Sequence, residues 1–316
     1  VLDRERTVLA GLAALAIVAV VGYLALNIRG DVVFALELRG VRLAALAIVA
    51  VAVAVSTVAF QTVTANRILT PAIMGLDALY AFGQTALVFG LGAYGFVAID
   101  PRLKFAGEAG LLLAMALALF LPLLRARIDM TLMLLSGVVL GVLFRSLSAL
   151  LARIVDPNAF ATIQGASFAS FNVVRGDLLA VAAVVTLVCA AVIWRARHAL
   201  DVLALGADPA TGLGLSWRRA SVGLLAVVAV LVAVSTALVG PIVFLGLFVV
   251  AVAERLVDTR RHAVLLPAAA LVGVVTLVGG QALLQHGLGG EGALGVVVEF
   301  LGGVVFIALL ISEARR

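Results

Sequence analysis

Three ionisable side chains stand inside long apolar runs of this 316-residue chain: Asp77, Arg145 and Glu299. Placing such a group at the depth of a hydrocarbon layer costs about 2.5–3.5 kcal/mol on insertion scales, so each needs a partner or a task. They could line a polar path through a membrane or pair across helices as gate elements, and Asp77 could cap a helix after the Pro71–Gly75 turn. Enzymatic chemistry finds little support. His198, His262 and His286 are scattered, without HExxH or Cys/His metal spacing, and His262 beside Arg261 reads as part of a solvated cytoplasmic turn. No Ser/His/Asp arrangement is recognisable. Gly287, Gly289 and Gly292 satisfy GxGxxG formally, but no βαβ pattern surrounds them, as a dinucleotide site requires. The only lysine, Lys104, lies between Leu103 and Phe105, so there is no P-loop GK[ST] to reach phosphates. Cys189 is the only cysteine and lies in an apolar run, which reads as a small buried residue and excludes an intrachain disulfide.

The elements that must hold these residues are set by composition. A chain that is 65% hydrophobic and 12% charged, with mean hydropathy +1.27, exposes too much apolar surface for one soluble core. Ten candidate spans follow, at roughly 8–26, 43–62, 73–97, 107–124, 130–152, 177–194, 220–237, 241–253, 265–283 and 294–312. The first is too long for a typical signal-peptide core and is read as a retained span. The eighth is short and implies a partial or tilted helix whose ends face protein rather than lipid. No linker or soluble domain interrupts the series, which predicts a single membrane domain over 1–316. With the N-terminus inside, the interior segments collect fourteen basic residues. The exterior ones hold seven: Arg29, Arg39, Arg42, Arg102, Lys104, Arg153 and Arg175. The positive-inside rule then places both termini in the cytoplasm, and the exterior cations could attract acidic residues of a docking protein. Gly137 and Gly141 form a GxxxG that lets helices approach closely.

The largest interior loop, 195–219, reads RARHALDVLALGADPATGLGLSWRR. Leu203, Leu205 and the Gly212–Gly214 turn offer a small apolar face on a short helix, with Asp208 as N-cap and Pro209 in the first turn. A short helix seated in a partner's groove can pass a rigid-body movement into the membrane.

Four stretches together resemble the FecCD-type permeases, membrane subunits of bacterial ABC importers for iron-siderophores, haem and cobalamin. LVGPIVFLGLFVVAVAERL (238–256) resembles GPI-x-F-x-GL-x-x-P-H-x-x-R, with Val250 and Ala251 in place of Pro-His. LDVLALGADPATGLGL resembles LN-x-L-x-LGE-x-A-x-x-LG, with Ala207-Asp208-Pro209 replacing the usual Glu-containing start. NRILTPAIMGLDALYAFGQT (66–85) resembles NPLA-x-P-x-x-LG, with Arg67 where proline is commoner. RSLSALLARIVDPNAFATIQGASFASFN (145–172) looks like the fifth span and the external helix that follows it. The forms MGLDALY, FASFN and VVVEFLGG (296–303) are similar to the ferric-siderophore sub-branch.

The resemblance implies an all-α type II importer permease with about ten transmembrane helices in the bacterial cytoplasmic membrane. It implies an ATPase-coupling loop carrying Asp201, Leu203, Leu205, Gly206, Asp208, Pro209, Gly212 and Gly214. Pro71, Gly75, Gly240, Pro241 and Gly246 fall on family motifs. Asp77, Arg145, Phe168, Phe171, Asn172 and Glu299 are the candidates for a translocation path or gate. Implied partners are two ABC ATPase subunits, a second permease (a heterodimer by preference), an extracytoplasmic substrate-binding protein and membrane lipids, with no nucleic acid. The chain itself would bind no cofactor: ATP belongs to the partner subunit, and iron travels as a chelate. The rival readings are a secondary transporter, which should carry an inverted repeat, a membrane enzyme or scaffold, and a family permease for haem or cobalamin.

Overall fold

Apolar runs of twenty or more residues fold as helices in lipid because a helix satisfies its backbone internally. The computed structural model describes residues 2–27, 31–120, 130–172, 174–287 and 294–314. In these the chain forms α1 (Leu2–Ala25), α2 (Val32–Thr64), a 3-10 turn (Pro71–Met74), α3 (Leu76–Ala98), α4 (Pro101–Phe120), α5 (Met130–Ile154), α6 (Pro157–Ser167) and α7 (Gly176–Arg195). There follow α8 (Arg197–Leu203), α9 (Ala207–Gly212), α10 (Trp217–Val239), α11 (Leu245–Val257), α12 (His262–Gly287) and α13 (Leu294–Ala314).

All ten expected spans fall on helices. By length and composition, seven described helices can cross a membrane: α1, α2, α3, α5, α7, α10 and α12. The other three expected spans lie on α4, α11 and α13. Three charges near its start, Arg102, Lys104 and Glu108, lower the apolarity of α4. α11 has only 13 residues. The end of the fourth expected span lies outside the described residues, as do Arg29, Arg125, Arg127, Gly289, Gly292, Arg315 and Arg316.

The long α2 is the centre of the bundle, packed against α10, α12, α7 and α11. Its second half is buried and rich in small residues, with Ala50, Ala52, Ala54 and Ala59 letting neighbours approach. Asp31 caps it by accepting the N–H of Val33 at 2.8 Å. Arg39, near its start, is buried and donates to the carbonyls of Tyr23, Leu24, Leu26 and Asn27, closing the C-terminus of α1. The expectation that Arg39 faces a docking protein is therefore corrected. Its guanidinium is committed to carbonyls that the end of α1 leaves unpaired.

Gly75 has φ +86°, and a Cβ there would lie 2.7 Å from the Gly137 carbonyl oxygen and 2.9 Å from the Gly141 Cα. The GxxxG of α5 thus receives the 3-10 turn and the start of α3. α3 itself breaks at Gly92, whose φ of 71° and ψ of 172° are not helical.

Candidate coupling loop and translocation path

Gly206, with φ +99°, divides the 195–219 loop into two short helices, α8 and α9, where one was expected. Gly206 also takes the N-cap position of α9. Asp208 is in the first turn and makes no cap bond, which corrects its assignment as N-cap; Pro209 follows it there. α9 closes at Gly212, and Gly214 continues the turn with φ +85°, donating its N–H to the Thr211 carbonyl at 2.9 Å. The apolar face is also divided. Leu203 is 2% exposed and belongs to the core, whereas Leu205 is 59% and Leu213 65% exposed. The outward apolar surface is therefore Leu205 with Leu213, and Leu203 anchors the loop from beneath.

Asp201 is an anchor too. Its Oδ1 accepts the backbone N–H of His262 at 2.8 Å and lies 2.7 Å from His262 Nδ1. The other ring nitrogen of His262 is 2.7 Å from Thr62 Oγ1 on α2. His262 is buried, so its reading as part of a solvated turn is corrected: it opens α12 beneath α8. Sequence reasoning missed this junction. The signal was a lone polar ring at the start of an apolar helix, where a carboxylate from elsewhere can cap.

Two of the family motifs touch each other. Asn66 accepts the Ile68 N–H at 3.0 Å, forming a turn that leads to Pro71 and Gly75. Thr70 then donates to the Val243 carbonyl at 3.3 Å, just beyond Gly240 and Pro241. Gly240 has φ +96° and packs on the backbone of Phe168 and Ala169, and Gly246 packs on Thr57 of α2. These motif glycines allow close packing. Glu254 reaches Arg67 at 3.8 Å, joining the end of α11 to the turn after α2.

Asp77, Arg145 and Glu299, on three different helices, come together. Arg145 Nη1 is 3.6 Å from Asp77 Oδ2, with Asp77 mostly buried and the Arg145 side chain 60% exposed. Glu299 accepts the Val243 backbone N–H and is near enough to Asp77 for their like charges to interact. Phe168 and Phe171 separate: Phe168 is 45% exposed, and Phe171 is 3% exposed and packed in the core. Asn172 is exposed and its carbonyl accepts from Arg42 at 3.5 Å. A space of about 270 Å³ beside them is lined by Phe168, Phe171, Asn172 and Gln281.

A third acid within an expected span was overlooked. Glu108, on α4, accepts from Gln84 at 2.7 Å and pairs with Lys104 at 3.9 Å, and Lys104 lies over the Phe96 ring. The insertion cost that singled out Asp77 applied equally to Glu108. Among the other exterior cations, Arg102 and Arg175 both bind Asp177, at 2.8 and 3.1 Å. That hydrogen bond raises the Arg175 pKa above its ordinary value. Among the described residues, no group of three or more His, Cys, Asp or Glu is placed to hold a metal.

A model of the FecCD transport family matches residues 7–312. The chain belongs to the FecCD transport family. Members similar to it include the petrobactin import permease YclO of Bacillus subtilis, 38% identical over 99% of both chains. The petrobactin import permease FatC of Bacillus anthracis is 30% identical over 82% of this chain and 73% of its own. The ferric enterobactin permease FepD of Escherichia coli is 28% identical over 81% and 75%. A solved inward-facing metal-chelate type ABC transporter superposes with a TM-score of 0.83 over 97% of this chain and 99% of that one. At 23% identity that likeness speaks for the FecCD fold alone. This FecCD chain is thus an all-helical, multi-pass membrane protein of a transport family whose members act with separate ATPases.

Proposed function

We propose that this chain is the permease subunit of an ABC importer that carries a ferric siderophore, petrobactin or a close chemical relative, across the bacterial cytoplasmic membrane. The end-to-end 38% identity to a petrobactin permease carries the reading. Both termini lie in the cytoplasm, a loaded binding protein docks outside, and one of two ATPases seats on the Leu205–Leu213 surface. Closure of the ATPases on ATP moves α8 and α9, and the membrane helices switch access between the two sides. No covalent step occurs in this chain; energy enters as the differential stability of the two states. The chain holds no cofactor, with ATP on the partner and iron arriving as chelate.

A second permease completes the path. Arg145 leaves most of its guanidinium at the protomer surface in the middle of α5. A lone protomer would turn that charge to lipid, at high cost. Across a facing permease, a heterodimer by preference, the same charge lines a polar interior with Asp77 and Glu299.

Reconstitution with its ATPase and binding protein tests the reading. ATP-dependent uptake of radioactive ferric petrobactin, outcompeting haem and cobalamin, is the expected result. Uptake of cobalamin alone would transfer the chain to the rival substrate class, and uptake driven without any ATPase would make it a secondary transporter.

A further inference from the structure

We infer that His262 is the positioning residue that ties the ATPase-contacting loop to the membrane helices, working between Asp201 and Thr62. This rests on the importer reading above. Three elements distant in sequence meet in this one side chain: α8 through Asp201, α12 through His262 itself, and α2 through Thr62.

The geometry makes the link stiff. Asp201 Oδ1 takes both the backbone N–H and the Nδ1–H of His262, so α8 cannot turn against α12 without breaking two bonds. The same carboxylate faces the N-terminus of α12, where free N–H groups and the helix dipole favour a negative charge. Nε2 meets the Thr62 oxygen at 2.7 Å, and the same hydroxyl donates to the Val58 carbonyl within α2 at 2.8 Å, which fixes the ring against α2. His262 is buried, so water does not compete for these bonds. Leu200 and Leu203 are buried on the same short helix, and so α8 is held by packing and by a polar bolt together. The loop's free surface lies beyond the Gly206 turn, on Leu205 and α9. Force applied there has a direct route to α12 and to the central α2.

The test is the amount of chelate moved per ATP hydrolysed in the complete reconstituted transporter. His262→Ala should keep ATPase activity within about twofold while the transport ratio falls tenfold or more. His262→Asn places an amide N–H where Nδ1 donates and should recover most of the ratio; Thr62→Val, which cuts only the α2 arm, should fall between. An unchanged ratio in His262→Ala overturns the inference. So does a parallel loss of ATPase activity and transport in an assembled complex, which marks a merely structural role. Should His262→Ala fail to assemble, Thr62→Val decides: a lowered ratio upholds the link and an unchanged one overturns it. If the unaltered chain captures no ATPase at all, the importer reading itself falls, and that outcome is separate from the others.

Discussion

Asp77 and Arg145 form an ion pair at 3.6 Å between the first turn of α3 and the middle of α5, directly beside the Gly75–Gly137 contact. The close glycine packing brings the two backbones near enough for the charges to meet. Arg145→Met therefore leaves the mostly buried Asp77 without its cation, and uptake should fall at least tenfold with the protein still assembled. Asp77→Asn should cost less, because a neutral amide needs no counter-charge. Exchange of the two, Asp77→Arg with Arg145→Asp, should recover part of the uptake.

Gly75→Ala combines a strained left-handed conformation with a Cβ 2.7 Å from the Gly137 carbonyl oxygen. The strain costs roughly 1–2 kcal/mol and overpacking about 1–3 kcal/mol more. Thermal unfolding of the purified protein in detergent should show a marked drop. Gly83→Ala, whose nearest neighbour would be a flexible Leu111 methyl at 3.6 Å, serves as the mild control.

Leu205→Asp and Leu213→Asp alter exposed side chains only. Each should abolish co-purification of the ATPase while leaving the melting temperature within a degree or two of the parent. Leu203→Asp buries a charge in the core and should instead lower the protein's abundance, a difference read by comparing pull-down with membrane content.

Arg39→Ala removes the cation that closes α1. Hydrogen bonds to a charged group are worth about 1.5–3 kcal/mol, and loss of this cluster should destabilise by at least that much. Affinity for the external binding protein, measured on the folded fraction, should not change.

The spans were legible because apolar length is a local property, and so were the turn at Pro71–Gly75 and the loop at 195–219. The direction of each side chain was not. Leu203 and Leu205 look alike in sequence, and only the Gly206 bend and the floor formed by α12 turn one inward and the other outward. Arg39 and Arg42 both count among the exterior cations, yet Arg39 is committed to the carbonyls at the end of α1 while Arg42 reaches the Asn172 carbonyl. His262 looked solvated because it follows Arg260 and Arg261; the residue that buries it, Asp201, lies 61 positions earlier. Single-chain periodicity carries no record of such distant partners. The pairing of Asp77 with Arg145 was foreseen as one possibility, since each charge needed a partner, while Glu108 was missed although the same rule covered it.

The ends of α1 have a bearing on how the protein is made. Arg4 pairs with Asp258 at 3.3 Å, a separation of 254 residues, and Glu5 lies 3.9 Å from Arg261. α1 packs along α12. During synthesis the first helix enters the bilayer long before the helix it packs against has left the ribosome. Its polar N-terminal turn must wait, with Glu5 uncovered, until the α11–α12 turn emerges. Contacts of such long range form late. The newborn permease thus passes through an interval in which its first span is held by Arg39 of α2 alone, with the face that packs on α12 still open.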